Sequence, residues 1–402
     1  MIKKSTHIVI LGSNLAGFSG ALELSSFLGN LCKITVISNS HIFTFTPALI
    51  WVPFGLEKKE SLQFDVRPIY KSYNINFIED IVSRIDPVQK KVHTKKTTCD
   101  YDYLLITTGA RPNYDNVPGL RPSEDSLSIC NYRETLKTKQ AWESFVKNPG
   151  PIVIGMMPDA LAKGAAYEFA LVLGVQLKKL GLLKKAPITF LTPEPNLSYL
   201  KQDIVGYSVL LCKHLFKLYK IKWKTDTVID SIQSGSVSLK SGEKLDSKFT
   251  MIIPSFKGAK CIQDSVDLES DNGFLPVNSH LQHIRHPDVF VAGTAIDICP
   301  KSSLTLSYHK PKIMYPVEYL AKVAVWNILA KIKGLNFKEI DIDYIKHDCT
   351  TNIGDLKVNL VGNEIYVDRN QEFLISGYQR SINKFVRLFQ ETFCPNKDEV
   401  TF

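Results

Sequence analysis

Residues 8–17 read IVILGSNLAG, a short apolar run that meets a glycine-containing turn. A helix-like segment from Ala16 to Phe27 follows the turn directly. A strand, a glycine-rich turn and a helix in this order are typical of the opening of a dinucleotide-binding βαβ unit, in which backbone N–H groups and a helix N-terminus approach a pyrophosphate. The stretch therefore predicts a nucleotide-binding α/β domain.

The turn departs from the usual glycine pattern at one position. Asn14 stands where a middle glycine normally leaves room for the phosphates. Asparagine tolerates positive φ angles better than most residues, so we expect the turn to form with less space. The second strand, predicted at 33–37, ends in Ser38 and Asn39 instead of the acidic residue that usually binds a ribose. An ordinary α/β turn stays open as an alternative for this motif alone.

The composition of the 402-residue chain is that of a globular protein with room for two or three domains. Its formal net charge of +9 suits an anionic cofactor, an acidic membrane surface or nucleic acid. The basic residues are dispersed, so nucleic acid is the least favoured of these partners. The sequence has no signal-peptide pattern and no apolar stretch of about 18 residues, so we expect neither secretion nor a membrane span.

Eight cysteines are scattered along the chain without a CxxC pair. This arrangement disfavours a disulfide framework and a zinc cluster, and we expect no metal site. Most of the cysteines are expected to be small, buried, apolar side chains in a reducing compartment.

Strand-like apolar runs recur along the chain and predict an α/β fold with two doubly wound domains, the first interrupted by the second. The further runs lie at 102–110, 151–155, 188–191 and 288–293, with helices expected at 160–173 and 315–333. We expect a first domain at 1–125 and 252–330, a second at 126–251, and a C-terminal region at 331–402.

Several further motifs occur along the chain in a specific order: FTFTP (43–47), WVPFG (51–55), TTG (107–109), PSFKG (254–258), NGF (272–274), VFVAG (289–293) and PK (311–312) with Tyr315 and Glu318. These motifs resemble those of sulfide:quinone oxidoreductases, a flavoprotein family related to flavocytochrome c sulfide dehydrogenase and type II NADH dehydrogenase. The resemblance depends on the order and spacing of the motifs and extends over about residues 5–360.

The resemblance implies FAD in the first domain, with its pyrophosphate at the turn from Gly12 to Gly17. It also implies that Lys312 places a cation near the reduced flavin ring. The residues expected to bind the cofactor are Gly12, Asn14, Ala16, Gly17, Ser38, Asn39, Thr108, Gly109, Gly293 and Lys312.

The resemblance also implies a pair of redox cysteines beside the flavin, one of which attacks sulfur as a thiolate. Cys130 and Cys349 match two family positions and are the candidate catalytic residues. Glu134 lies near the place where the family often has a histidine, and either a surface role or a catalytic role stays open for it.

The third family cysteine is missing. It lies about six residues before the AYEF stretch that is present here at 166–169, and Leu161 or Ala162 occupies its place. Cys130 could pair with Cys349 instead only if their Cα atoms lie within about 7 Å.

The function that the resemblance implies is transfer of electrons from sulfide, or a related small sulfur donor, through FAD to a quinone. A relative without sulfide activity is one alternative, favoured by the missing cysteine. A type II NADH dehydrogenase is another, but it needs a second nucleotide-binding turn, and residues 155–160 read GMMPDA, with bulky side chains where a pyrophosphate would approach.

The C-terminal segment contains apolar residues on one helical face, with basic residues largely elsewhere. A basic amphipathic helix of this kind can lie in a membrane interface, although a helix packed on the protein core is equally compatible with the pattern. The resemblance favours peripheral, monotopic docking on the cytoplasmic side of a membrane, and the oligomeric state stays open. The apolar positions are Ile382, Phe385, Val386, Phe389 and Phe393.

Overall fold

The computed structural model describes residues 6–122, 125–197, 207–268, 270, 272–297, 314–340, 349–353, 356–361 and 364–368. The α-helices in these ranges are α1 (Leu15–Leu28), α2 (Lys59–Leu62), α3 (Arg67–Ser72), α4 (Tyr132–Lys147), α5 (Lys163–Lys179), α6 (Tyr207–Leu218), α7 (Lys260–Gln263) and α8 (Met314–Lys333). Short 3₁₀ helices cover Gly29–Leu31, Thr46–Phe54, Val266–Leu268 and Gly293–Ala295.

The strands of the first half of the chain are β1 (Thr6–Leu11), β2 (Cys32–Ser38), β3 (Ile42–Thr44), β4 (Gln63–Asp65), β5 (Asn76–Glu79), β6 (Val82–Asp86), β7 (Lys91–Thr94), β8 (Thr98–Asp100), β9 (Tyr103–Ile106), β10 (Ala110–Asn113), β11 (Ile152–Met156) and β12 (Ile188–Leu191). The strands of the second half are β13 (Ile221–Lys224), β14 (Ile229–Gln233), β15 (Ser236–Leu239), β16 (Lys244–Asp246), β17 (Phe249–Ile253), β18 (Ser255–Gly258), β19 (Val289–Val291), β20 (Cys349–Ile353), β21 (Leu356–Val361) and β22 (Glu364–Asp368).

The chain divides into two compact units, Met1–Ile345 and Lys346–Phe402. In the second unit, β20, β21 and β22 form an antiparallel sheet. The first unit contains two larger parallel sheets, each with its own apolar core.

The first sheet has five parallel strands in the order β19-β9-β1-β2-β5. Its central strand β1 is a continuous apolar run, and the side chains from Ile8 to Leu11 have no exposed surface. Such a run, without alternation of polar residues, is typical of a parallel strand covered on both faces. The helices α1 and α8 pack against each other closely, so that a Cβ added to Gly20 would lie 3.4 Å from Val325 Cγ2.

The second sheet has four parallel strands in the order β13-β12-β11-β17. Aromatic rings from α4 and α5 pack on β17: the Phe145 ring centroid lies 5.5 Å from that of Phe249, and Phe169 stacks on the same ring at 6.4 Å. These contacts form a core that is separate from that of the first sheet.

An antiparallel ribbon joins the two sheets. The chain leaves the first sheet through β10 and returns through β18, which pairs with β10 from Ala110 opposite Gly258 to Asn113 opposite Ser255. The last strand of the first sheet, β19, therefore comes after the whole of the second sheet in the chain. This topology confirms the predicted α/β fold, in which one doubly wound part interrupts the other, whereas the exact domain boundaries stay a prediction.

Two predicted elements differ from the structure. The run at 102–110 is not one strand, because Gly109 adopts a φ of +66° and the chain turns between β9 and β10. The helix predicted at 160–173 begins later, at Lys163, and ends at Lys179. The predicted amphipathic helix around 382–393 lies outside the described residues. Within the described part of the chain, no helix combines the length and apolarity required to cross a membrane.

Candidate functional site

The turn after β1 is tightly packed. Gly12 has a φ of +99°, and its N–H donates to the carbonyl oxygen of Ile37 at 2.9 Å. A Cβ atom added to Gly12 would lie 2.7 Å from the carbonyl oxygen of Thr107, and one added to Gly17 would overlap the carbonyl of Gly12. Both glycines are therefore required by the turn itself, before any ligand is considered.

Asn14 does not use the positive φ angle that its side chain tolerates. Its φ is −95°, an extended conformation at the N-cap of α1, so the turn forms without a left-handed residue at this position. The exposed Asn14 side chain makes no capping hydrogen bond, and the first turn of α1 contains no acidic residue. Neither a capping side chain nor an acidic residue therefore offsets the partial positive charge at this helix N-terminus. A helix N-terminus in this state can bind an anion.

Thr107, Thr108 and Gly109 form the neighbouring wall at the end of β9. Thr107 Oγ1 donates to the Leu11 carbonyl at 2.6 Å, which ties this wall to the end of β1. Thr108 Oγ1 is buried and has no hydrogen-bond partner. A buried, unsatisfied hydroxyl costs about 1–3 kcal/mol, so a polar ligand group beside it is expected. This orphaned hydroxyl fits the predicted path of a bound nucleotide.

Gly293 follows β19 at the same sheet edge. It has a φ of +71°, and an added Cβ would lie 3.3 Å from Ala16 Cβ and 3.4 Å from Val317 Cγ1. Because β1, β9 and β19 are adjacent and parallel, their carboxyl ends bring Gly12, Gly109 and Gly293 to one edge, where ligands bind in doubly wound sheets. Lys312 lies outside the described residues.

The end of β2 provides neutral polar groups. Ser38 is buried, and its Oγ accepts from the Ser40 N–H at 3.4 Å, whereas Asn39 is exposed. Neither carries a charge, as the sequence indicates, so a ribose at this strand would meet a hydroxyl and an amide instead of a carboxylate.

Cys130 lies in a polar cluster that joins the ribbon to α4. Its backbone N–H donates to Ser128 Oγ at 3.1 Å. Ser128 Oγ and Tyr114 OH each donate to Glu134 Oε2, both at 2.7 Å. Glu134 is half-buried, so a plain surface role for this residue does not describe its position. Tyr114 and Ser128 were not predicted from the sequence, because nothing in their local pattern relates them to a cysteine.

The surroundings of Cys130 favour its neutral form. Burial raises the pKa of the Cys130 thiol to about 11, the charge of Glu134 raises this pKa as well, and the hydroxyl groups of Ser128 and Tyr114 act in the opposite direction. Burial also raises the pKa of Tyr114 far above its ordinary value. Both groups are therefore protonated at neutral pH.

Cys349 is the first residue of β20 in the second compact unit. At the place of the missing family cysteine, Leu161 is buried and Ala162 is exposed immediately before α5. Within the described ranges, no group of three or more His, Cys, Asp or Glu side chains is arranged to hold a metal ion.

The second parallel sheet has no open nucleotide-binding turn at the end of β11. This strand ends at Met156, and α5 begins only at Lys163. The connecting residues Met157, Ala160 and Leu161 are buried, and Met157 belongs to an apolar cluster with Val117, Leu120 and Leu191 among others. Apolar side chains thus fill the space where a second pyrophosphate would bind.

A buried ion pair lies at the end of β12. Lys163 Nζ is 3.7 Å from Glu194 Oε1, and both side chains are at most 5% exposed. Tyr167 OH and Thr192 Oγ1 also donate to Glu194, at 2.6 and 3.1 Å. Burial raises the pKa of Glu194. In a nucleotide-binding unit, an acidic residue after the second strand binds a ribose; here it is engaged by the protein's own side chains. Glu194 follows the strand-like run at 188–191, so its position in the sequence could have indicated a functional or structural role, but it was not among the predicted residues.

Comparisons with known proteins agree with this architecture. The family model described as pyridine nucleotide-disulphide oxidoreductase matches residues 6–314. A solved structure of the sulfide:quinone oxidoreductase from the hyperthermophilic bacterium Aquifex aeolicus superimposes with a TM-score of 0.86 and 27% identity, over 96% of this chain and 91% of that chain.

Comparison with individual relatives supports the same family. The sulfide-quinone reductase of Aquifex aeolicus (strain VF5) is 32% identical over 335 residues, which are 82% of this chain and 77% of that protein. The external alternative NAD(P)H-ubiquinone oxidoreductase B3 of Arabidopsis thaliana matches only 36% of this chain and 25% of its own length, at 31% identity. The chain is therefore an oxidoreductase that belongs to the sulfide:quinone oxidoreductase family, within the pyridine nucleotide-disulphide oxidoreductases.

Proposed function

We propose that this protein binds FAD and transfers two electrons from sulfide, or a related small sulfur donor, to a quinone. The observation that carries the proposal is the edge formed by β1, β9 and β19, where glycines bring backbone close together and the buried Thr108 hydroxyl has no partner. A bound flavin supplies the capacity to accept two electrons from one substrate and to deliver them to another.

We assign each part of the cofactor to a different group of residues. The turn at Gly12, Asn14, Ala16 and Gly17 holds the pyrophosphate through backbone N–H groups. Ser38 and Asn39 bind the ribose, while Thr108, Gly109 and Gly293 line the path toward the flavin ring, and Lys312 provides a cation near it.

Cys130 and Cys349 are the proposed sulfur-reactive residues. In the overall reaction, hydrosulfide and an external thiol give a persulfide anion, and the two electrons and two protons that they lose convert the quinone to a quinol. An external thiol is needed because no cysteine stands at Leu161 or Ala162 to hold the sulfur. Turnover without such an acceptor is therefore expected to be slow.

Quinones dissolve in membranes, so the proposal includes peripheral docking on the cytoplasmic face of a bilayer. The net charge of +9 and the apolar face predicted at 382–393 support it. A type II NADH dehydrogenase has less support, because apolar side chains fill the second nucleotide position and the NAD(P)H-ubiquinone oxidoreductase match is partial.

The test is to add sulfide together with an external small thiol to the purified FAD-loaded protein without oxygen, follow the flavin absorbance, and then add a soluble quinone. Bleaching followed by recovery supports the proposal. Cys349→Ser should abolish the sulfide-dependent bleaching, whereas the matched variant Cys212→Ser, at a buried position in α6, should retain it. Wild-type protein that binds FAD but shows no bleaching would overturn the sulfide assignment and leave a flavoprotein with another electron donor.

A further inference from the structure

We propose that Glu79, at the end of β5, binds the ribose hydroxyls in the adenosine half of FAD and supplies the carboxylate that is missing after β2. The inference rests on the proposed function, because it assigns a further residue to the FAD site proposed there. The acidic group of the ribose site then comes from the neighbouring strand, where no motif in the sequence indicates it.

The end of β2 lacks an acidic side chain. In dinucleotide-binding sheets, a carboxylate about 20 residues after the glycine turn accepts hydrogen bonds from the ribose. Ser38 stands at this place, and its buried Oγ already accepts from the Ser40 N–H at 3.4 Å. Hydrogen bonds from a ribose to neutral groups such as Ser38 and Asn39 are about half as strong as those to a charged acceptor. A carboxylate from elsewhere would therefore strengthen this site.

The strand β5 brings a carboxylate beside Ser38. It lies at the edge of the sheet and pairs in parallel with β2, and Glu79 is opposite Ser38 in the register. Adjacent strands lie about 4.8 Å apart, and residues opposite each other point to the same face of the pleated sheet. Each of the two residues is the last of its strand. Both therefore belong to the carboxyl edge of the sheet, where ligands bind in doubly wound folds.

The order of the strands places the adenosine half of the cofactor on the side of Glu79. In the proposed site, the pyrophosphate lies at the turn after β1 and the flavin ring near the ends of β9 and β19. The adenosine half then extends the other way, across β2 toward β5. The turn contacts the end of β2 directly, since the Gly12 N–H donates to the Ile37 carbonyl at 2.9 Å. A ribose at the end of β2 is therefore next to the end of β5.

His41 holds the carboxylate of Glu79 in place. Its Nδ1 lies 2.8 Å from Glu79 Oε1, and because an ionised carboxylate can only accept, Nδ1 is the donor. This hydrogen bond, together with the charges of His41 and Arg67, lowers the pKa of Glu79, so the carboxylate is ionised at neutral pH. A carboxylate has about four acceptor positions, and this side chain is 44% exposed, so positions stay open for ligand hydroxyls.

The other charged groups beside Glu79 are engaged with their own neighbours. Arg67 donates to Asp65 Oδ2 through Nη2 at 2.6 Å and through Nε at 3.0 Å. Asp80, the next residue after Glu79, is buried and accepts from two backbone N–H groups, at 2.8 and 2.9 Å. Of the two acids at the end of β5, Glu79 is therefore the one that is accessible to a ligand.

The test compares ADP with 2′,3′-dideoxy-ADP, which lacks both ribose hydroxyls. Full-length protein depleted of flavin is reloaded with FAD in the presence of either competitor, and flavin binding is followed by fluorescence. We expect the wild type to bind ADP about tenfold more tightly than the dideoxy compound, because the latter loses a hydrogen bond to a charged acceptor. In Glu79→Gln this preference should fall to about twofold, with the affinity for dideoxy-ADP unchanged.

Two further variants accompany this comparison. Glu143→Gln, the same substitution at an exposed position of α4, is the matched control and should keep the tenfold preference. His41→Phe retains a ring without a donor and should reduce the preference less than Glu79→Gln does. A general loss of structure would weaken both competitors equally, so the ratio between them reports the ribose contact.

An undiminished preference in Glu79→Gln would overturn the inference, as would equal binding of the two competitors by the wild type. The second outcome does not depend on the folding of any variant. In both cases a protein that still takes up FAD leaves the proposed function intact. A folded protein that takes up no FAD would overturn the proposed function and this inference with it.

Discussion

Gly12 combines a positive φ angle with a close backbone neighbour, and this pair of constraints leads to a first prediction. In Gly12→Ala, a Cβ 2.7 Å from the Thr107 carbonyl forces the turn open, in addition to a backbone cost of about 1–3 kcal/mol. We expect a folded protein with strongly reduced flavin content, measured by the ratio of flavin to protein absorbance. The matched control is Gly181→Ala, where φ is +69° but no atom lies within 4 Å of the new Cβ. Equal flavin content in the two variants would contradict this role of the turn.

Ala162 is one of the two residues, with Leu161, at the place of the missing cysteine. Its side chain is exposed, so a thiol there displaces no core atom. In Ala162→Cys we expect a higher rate of sulfide-dependent flavin reduction than in the wild type, because a second thiol can hold sulfur without an external acceptor. Ala162→Ser has nearly the same shape without the sulfur and should show no gain. The same rate in both variants would count against the family alignment at this position.

Some residues of the candidate site could be predicted from the sequence, and others could not. The glycines at 12, 17, 109 and 293 could be predicted, because each belongs to a local strand-turn pattern. The cluster around Cys130 could not, since Tyr114 and Glu134 are brought together by the ribbon and by α4, and such tertiary contacts leave no local pattern. The extended conformation of Asn14 could not be predicted either, because a residue's tolerance of positive φ does not determine whether it adopts one.

At the scale of elements, the connection from β11 to α5 leads to a prediction about the electron donor. Met157, Ala160 and Leu161 are buried in it, so apolar side chains stand where a second pyrophosphate would approach. We expect NADH to reduce the flavin far more slowly than sulfide does, as measured by stopped-flow absorbance with each donor in turn. Complete reduction by NADH within the dead time would restore the dehydrogenase alternative.

The ion pair between α5 and β12 leads to a prediction about pH. Burial raises the pKa of Glu194, so the folded state binds this proton more tightly than the unfolded state does, and the resulting stability is lost as the pH rises through the folded-state value. In Lys163→Met the carboxylate loses its counter-ion, and we expect a loss of about 3–5 kcal/mol in the free energy of unfolding at about pH 8, but less at about pH 5.

Denaturation with urea at the two pH values measures this loss. The double variant Lys163→Met with Glu194→Gln should recover most of the stability, because no unpaired charge stays buried. A Lys163→Met protein as stable as the wild type at the higher pH would show that the pair contributes nothing.

The elements themselves were predicted well where a continuous apolar run ends in a glycine, as in β1 and β19. The boundary of α5 was not, because the residues before it are as apolar as those inside it. Met157 among them is buried in the apolar cluster that also contains Val117, Leu120 and Leu191, and the sequence does not display such tertiary contacts.

At the scale of the whole molecule, charge and the C-terminal apolar face predict binding to a bilayer. We expect the full chain to sediment with vesicles that contain anionic lipid, and Phe385→Glu with Phe389→Glu to release it, because two carboxylates on the apolar face oppose insertion. The double substitution Arg380→Glu with Lys384→Glu separates charge from insertion, since its defect should disappear on neutral vesicles. Retention of the phenylalanine variant on anionic vesicles at high salt would contradict docking through this face.

The interruption of the first sheet by the second fixes the order in which a growing chain can fold. The strands β11, β12, β13 and β17 all lie within 152–253, so the second sheet can close while the ribosome is still translating the last third of the chain. Until β19 emerges, β9 is an open edge with unpaired N–H and C=O groups, and α1 has no α8 to cover it. The nucleotide edge is incomplete for the same interval, because Gly293 is synthesised last of its three glycines. A nascent chain of this protein therefore passes through a stage at which a strand edge and an apolar helix face are exposed to aggregation, and cofactor binding must wait until β19 and Gly293 have been synthesised.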